Sequence, residues 1–361
     1  MQALSRSMGG VLLTACWAAG IAVGQGAGTV PDRGSPVRTA ELQPLAALEG
    51  CWQGAGEFRE PGQTTRWQGS GSYQWCLGGH WLQADFVLRF DGMEVPLYQR
   101  QYFGYDPLRG GLVAISIDSG GQLLLDDLRL QPDGSLLQLG LRRQGTMDYA
   151  ERIVRRVEPA ALQLAVDLML PSGTSSTIVD GRFAKVAELP PPELPLASFA
   201  GAPVAPSLRA LHACRGRYAV EGMVLLDAAD NAASEPKAVQ GTSTWRELFG
   251  GVVLHERRDA SVEGDEPPWA TETWVGLDPR AGGLVAIELD NRGGLRQQQW
   301  RSTADGRVLI AMAAGVGASE ARLERTVYQL DSNGRWRQRT STVLRDAGPP
   351  VVVWHGAYAR K

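Results

Sequence analysis

Short runs of alternating apolar and polar residues, divided by Gly, Pro, Asp or Ser, fill most of the chain. Between residues 112 and 184 they fall at Leu112–Asp118, Gln122–Leu130, Leu136–Arg142, Tyr149–Val157, Leu162–Met169 and Thr177–Ala184. A period of two sends alternate side chains to opposite faces, so each run predicts a half-buried strand. Helical signal is confined to Leu45–Leu48 and Leu208–Leu211, each a turn or two ahead of a first strand. An all-β unit of about eight to ten antiparallel strands, with no long helix, predicts a closed barrel or a sandwich.

The pattern occurs twice. Residues 104–123 read GYDPLRGGLVAISIDSGGQL and residues 276–295 read GLDPRAGGLVAIELDNRGGL, with twelve of the twenty positions identical at an offset of 172. Glu151-Arg152-Ile153-Val154 repeats as Glu324-Arg325-Thr326-Val327 at an offset of 173. A tandem duplication of one domain explains both matches. In the repeated turn, Asp106 and Asp278 can accept backbone N–H bonds, Pro107 and Pro279 preset φ, and the paired glycines permit positive φ before the next strand.

Composition adds the compartment. A Gly- and Ala-rich apolar stretch follows Arg6, too short for a convincing membrane span, and predicts an export signal over residues 1–24. Leu13-Thr14-Ala15-Cys16 also resembles a bacterial lipobox, so a lipid anchor at Cys16 stays open as an alternative. Either route predicts a periplasmic or secreted protein. Residues 25–40 form a polar leader. The first domain then spans 41–187, a Pro-rich spacer 188–206, and the second, divergent domain 207–361. The net charge of −3, without any basic run, argues against nucleic acid as a partner.

Leu45-x-x-Leu48-x-Gly50-x-Trp52-x-Gly54-x-Gly56, then Leu77-Gly78-Gly79-x-Trp81-Leu82, then Gly104-Tyr105-Asp106, resembles an uncharacterised bacterial domain family assigned to the lipocalin-like, or calycin, β-barrels. The resemblance implies two tandem antiparallel barrels. It also implies that Trp52 plugs one barrel end beneath an Arg from the last strand, a place Arg182 could fill. The second copy lacks that Trp and must close by other means.

Signals for catalysis are sparse. No nucleophile elbow, zincin motif or phosphate loop occurs, and no histidine matches a histidine in the other copy. These observations suggest no catalytic residue, metal or cofactor, and favour a binding or scaffolding module for a small apolar or acidic amphiphilic molecule. Arg152 and Arg325 share the more apolar face of their runs and are candidate interior anchors for an anionic head group. Trp75, Tyr102, Trp245 and Trp274 are candidate pocket aromatics. Cys51 and Cys76 are disulfide candidates if their strands form a hairpin turning near Pro61. Two rivals remain: an enzyme using Asp118 and Asp290, and a structural envelope protein with filled barrels.

Overall fold

The computed structural model describes residues 39–119, 121–144, 146–189, 204–224, 235–278, 282–303, 308–316, 321–330, 335–344 and 351–360. The segment expected to be an export signal, Cys16, most of the spacer and Pro279 lie outside them. Two compact units divide the chain, Met1–Ser198 and Phe199–Lys361, and each holds one closed antiparallel ten-stranded barrel. No helix among the described residues is long and apolar enough to cross a membrane.

Barrel 1 consists of β1 (Gly50–Glu60), β2 (Gln63–Cys76), β3 (Trp81–Phe90), β4 (Leu97–Asp106), β5 (Gly111–Asp118), β6 (Leu123–Leu130), β7 (Leu136–Gln144), β8 (Met147–Glu158), β9 (Ala161–Met169) and β10 (Ser175–Val186). Barrel 2 consists of β11 (Gly216–Val224), β12 (Lys237–Leu248), β13 (Val253–Val262), β14 (Asp265–Asp278), β15 (Gly283–Asp290), β16 (Leu295–Ser302), β17 (Val308–Val316), β18 (Ala321–Leu330), β19 (Trp336–Leu344) and β20 (Val351–Arg360). Consecutive strands pair throughout, and β1 meets β10 as β11 meets β20. Closure leaves neither sheet with a free edge.

One end of each barrel is plugged. A 3-10 segment at Ala40–Leu48 buries Leu42, Leu45 and Leu48. The helix Pro206–Leu211 and the 3-10 turn after it bury Leu208, Leu211 and Cys214 in the same spacing. Trp52 is fully buried above the first plug and donates from Nε1 to the Leu48 carbonyl at 2.7 Å. Tyr218 does the same in barrel 2, its hydroxyl donating to the Cys214 carbonyl at 2.8 Å. Gly50 pairs with Tyr73 and Gly216 with Trp245, so the copies match at an offset of 166 in the plug and 172 beyond it. Cys214 therefore stands where Leu48 does, not where Cys51 does.

The expected arginine does not cover Trp52; a lysine takes its place. Lys185 pairs in register with Trp52 and sits over its ring at 5.4 Å, while Arg182 pairs with Ala55, is exposed, and bonds Glu158. Arg360 occupies the Lys185 position in barrel 2, opposite Tyr218. Gly50 and Gly216 adopt φ of 126° and 137° directly beside these two cations, a conformation that needs glycine.

Candidate functional site

In barrel 1 the inward row of β8 is Tyr149, Glu151, Ile153 and Arg155, all buried. Glu151 is opposite Gly140 of β7, and Tyr149 opposite Arg142. A Cβ on Gly140 would lie 2.1 Å from Arg142 Nη1 and 2.3 Å from Asp126 Oδ1, so the bare glycine is what lets the Arg142 guanidinium fold back over it. There it donates to both oxygens of Asp126 at 2.7 Å, and its Nε stands 3.3 Å from Glu151 Oε2. Deeper in, Arg155 donates to Gln138 Oε1 and Gln101 Oε1 at 2.9 Å and lies over the Phe103 ring. Gln138 donates to Asp126 and Gln101 to Ser116, which joins the two arginines into one interior network. Such a network is tenable in a low-dielectric interior only because nearly every member is paired.

Glu151 is the least satisfied member, held by the 3.3 Å ion pair with Arg142 alone. It is 1% exposed, neither of its carboxylate oxygens makes a hydrogen bond, and Arg142 Nε makes none either. Burial raises its pKa to about 7, against the opposing pull of Arg142. For Arg142, attraction to Asp126 and Glu151 outweighs the downward pull of burial, and its pKa rises. A carboxyl group with a raised folded-state value contributes most stability below its unfolded value and loses that contribution as pH climbs to the folded one. The protein is therefore expected to lose on the order of 3 kcal/mol between about pH 4.5 and pH 7 through Glu151. Urea titrations of the wild type and Glu151→Gln across that range check this. A difference between the two that does not change with pH would mean that Glu151 is hydrated.

The open end of barrel 1 lies directly above this layer. A cavity of about 340 Å³ opens where β1 and β10 part beyond Phe58 and Val179, with Tyr149, Leu168, Leu170 and Ile178 among its lining residues. Leu168 is the register partner of Glu151, and Tyr149 is two residues before it on the same face, so Glu151 lies just beneath the cavity floor. A wider depression of about 560 Å³ around Arg182 and Glu158 is on the outer wall and holds only that exposed pair.

Barrel 2 retains the glutamate and little else of the arrangement. Glu324 pairs with Ala313 as Glu151 does with Gly140, and its cation is Arg296 of β16, 3.0 Å away. The methyl group of Ala313 occupies the space that Gly140 leaves open. Further in, Arg258 and Ser243 bond Glu256, and Tyr358 donates to Gln338. The aromatic-lined cavity bounded by Tyr218, Trp245, Trp300 and Trp336 measures about 20 Å³, room for one water. Cys214 at its edge is pushed up to about 12 by burial, which keeps the thiol protonated.

Several expectations need correction. Arg152 and Arg325 are exposed on the outer faces of β8 and β18, Arg152 in an ion pair with Asp167. The apolar residues of β8 fall on both faces, Ala150 and Val154 on one and Tyr149 and Ile153 on the other, so alternation could not choose between them. The interior arginines are Arg142 and Arg155, and the member of the duplicated Glu-Arg pair that points inward is the glutamate. Trp245 lines the barrel 2 cavity, and its register counterpart in barrel 1 is Tyr73. Trp75 is at the plug, donating to Glu49 at 3.3 Å, where barrel 2 has an Arg215–Glu247 ion pair instead. Tyr102 and Trp274 are buried on strand faces pointing away from the interior, Trp274 stacked on His255. No disulfide links Cys51 and Cys76: Cys51 faces Ser72, four residues short of Cys76, roughly 13 Å of strand rise and too far for a bridge.

The turn residues fall as expected where they are described. Asp106 accepts from the Leu108 amide at 2.9 Å, Gly110 and Gly282 have positive φ, and the Gly282 amide donates to the Asp278 carbonyl. Asp118 and Asp290 form identical turns, accepting from the amides of Gln122 and Gly294. Among the described residues no three His, Cys, Asp or Glu side chains converge as metal ligands would.

Residues 38–131 match the family described as Protein of unknown function (DUF1579). No curated protein matches the chain. Among solved structures it is similar to an S-type phycobiliprotein lyase from Guillardia theta, at 11% identity and a TM-score of 0.30, over 43% of this chain and 93% of that one. It is also similar to a protein of unknown function from the DUF3598 family of Nostoc punctiforme, at 12% identity and a TM-score of 0.28, over 90% and 100% of the two chains. A putative AttH from Nitrosomonas europaea matches at 9% identity and a TM-score of 0.15, over 91% and 98%.

Proposed function

We propose that the protein is an exported, lipocalin-like binding module that holds one small apolar or amphipathic molecule at the open end of barrel 1. One observation carries this reading. The 340 Å³ cavity there is walled by Tyr149, Leu168, Leu170 and Ile178, with Arg59 and Glu60 at its rim and the Glu151–Arg142 pair beneath it. The volume falls at the lower end of the range of about 300–1,000 Å³ typical of small-molecule sites. Export rests on the sequence of residues 1–24 alone.

Native mass spectrometry of the full-length protein from its own cell envelope tests the reading. One small molecule per chain is expected, and Leu168→Trp, which fills the cavity from its wall, should remove it. Two per chain would assign binding to both barrels. An unliganded protein that also fails to take up added amphiphiles would refute the proposal.

A further inference from the structure

We propose that the Glu151–Arg142 pair beneath the cavity floor recognises a carboxylate head group, and that the ligand enters together with one proton, which Glu151 holds. The inference rests on the binding reading above and assigns the chemistry of the head.

The polar atoms left over in the interior decide the class. Arg142 spends two nitrogens on Asp126, and its Nε makes no hydrogen bond. Both Glu151 oxygens are buried without a hydrogen bond, and Oε2 stands 3.3 Å from that Nε. When protonated, Glu151 offers an O–H donor beside the Arg142 N–H, and two donors side by side fit a carboxylate.

Charge balance points the same way. With Glu151 neutral, the interior holds Arg142 and Arg155 against Asp126 alone, an excess of one positive charge. Arg155 donates to the amide oxygens of Gln138 and Gln101, lies over the Phe103 ring and is approached by the Tyr73 hydroxyl, none of them a carboxylate. A carboxylate restores neutrality, whereas an ammonium paired with ionised Glu151 would leave the excess in place. Buried charge without a counterion is the costlier arrangement.

The groups facing Glu151 are few. Asp126 of β6 and Arg142 of β7 lie beside it in the network, with Arg155 further down its own strand. Leu168 of β9 is apolar. Tyr73 of β2 approaches Arg155, and Tyr149 stands between Glu151 and the opening. Arg59 and Glu60 are at the rim, where burial raises Glu60. Tyr149 is thus the side chain that has to swing aside for the head group to descend.

Calorimetry on the full-length protein tests the proposal with dodecanoate, dodecanol and dodecylammonium, in buffers of different ionisation enthalpy. Dodecanoate is expected to bind at least about tenfold more tightly than the other two near neutral pH, and to take up close to one proton per chain near pH 9. Its affinity should fall about tenfold per pH unit above the Glu151 titration. Glu151→Gln, a permanent donor of similar shape, should abolish both the proton uptake and the fall, and bind dodecanoate better than the wild type near pH 9.

Preference for dodecylammonium, lost in Glu151→Gln, would overturn the assignment in favour of an amine. Equal affinity for all three heads would overturn it while leaving the cavity as the binding site. Failure to bind any of them would overturn both readings. The proton count on the unmodified protein keeps the test decisive even if the variant misfolds.

Discussion

Asp126→Asn is expected to cost about 3–5 kcal/mol of folding stability, the range for breaking a buried ion pair by removing one partner. Asp126 takes two 2.7 Å bonds from Arg142 and one from Gln138, and all three residues are almost wholly buried. The amide keeps the shape of the carboxylate and deletes its charge, so little of the loss can come from packing. Arg142 is then left with Glu151 as its only nearby anion. The loss should therefore be larger at acid pH, where Glu151 is neutral, than above pH 7, where it can take over. Chemical denaturation at two pH values measures this. A cost below about 1 kcal/mol would place the pair in the class of hydrated surface bridges.

Trp52→Ala should be comparably damaging, at about 3–5 kcal/mol, because it empties the space above the plug. The indole packs in the core cluster with Leu42, Leu45 and Leu48, holds the Leu48 carbonyl and lies beneath Lys185. Trp52→Tyr should be far milder, about 1–2 kcal/mol, because barrel 2 places Tyr218 at the equivalent position with the equivalent bond. If Tyr proves as harmful as Ala, the two plugs are not interchangeable. Thermal unfolding of the two variants side by side settles the point.

The strands and the duplication are legible in the sequence because both are repetitive signals. Alternation recurs in every strand, and the Gly-Asp-Pro turn is nearly identical in both copies. The site is less legible, for reasons particular to its residues. On β8 a slip of one residue exchanges the faces, and Val154 is as apolar as Ile153. Arg142 reaches Asp126 only by folding back over Gly140, a path that no spacing rule encodes. The plug registers differ by six residues because the β11–β12 connection is longer than the β1–β2 turn. That offset sets Cys214 at the position of Leu48. A stronger signal was available in the duplicated Glu-Arg pair, where the acid carried as much information as the base.

The changed counterion also bears on how a chain with two similar halves avoids misassembly. Tandem copies can exchange strands during folding, since each strand of one barrel resembles a strand of the other. In barrel 1 the arginine that serves the interior glutamate comes from β7, and in barrel 2 from β16. A hybrid in which β17 replaced β7 would put Ala313 opposite Glu151 and bring no arginine to it. The converse hybrid would put Gly140 opposite Glu324 and bring a second interior arginine beside Arg296. Either hybrid breaks a glutamate–arginine pairing that the native strands make, so exchange of strands between the halves is expected to be electrostatically disfavoured.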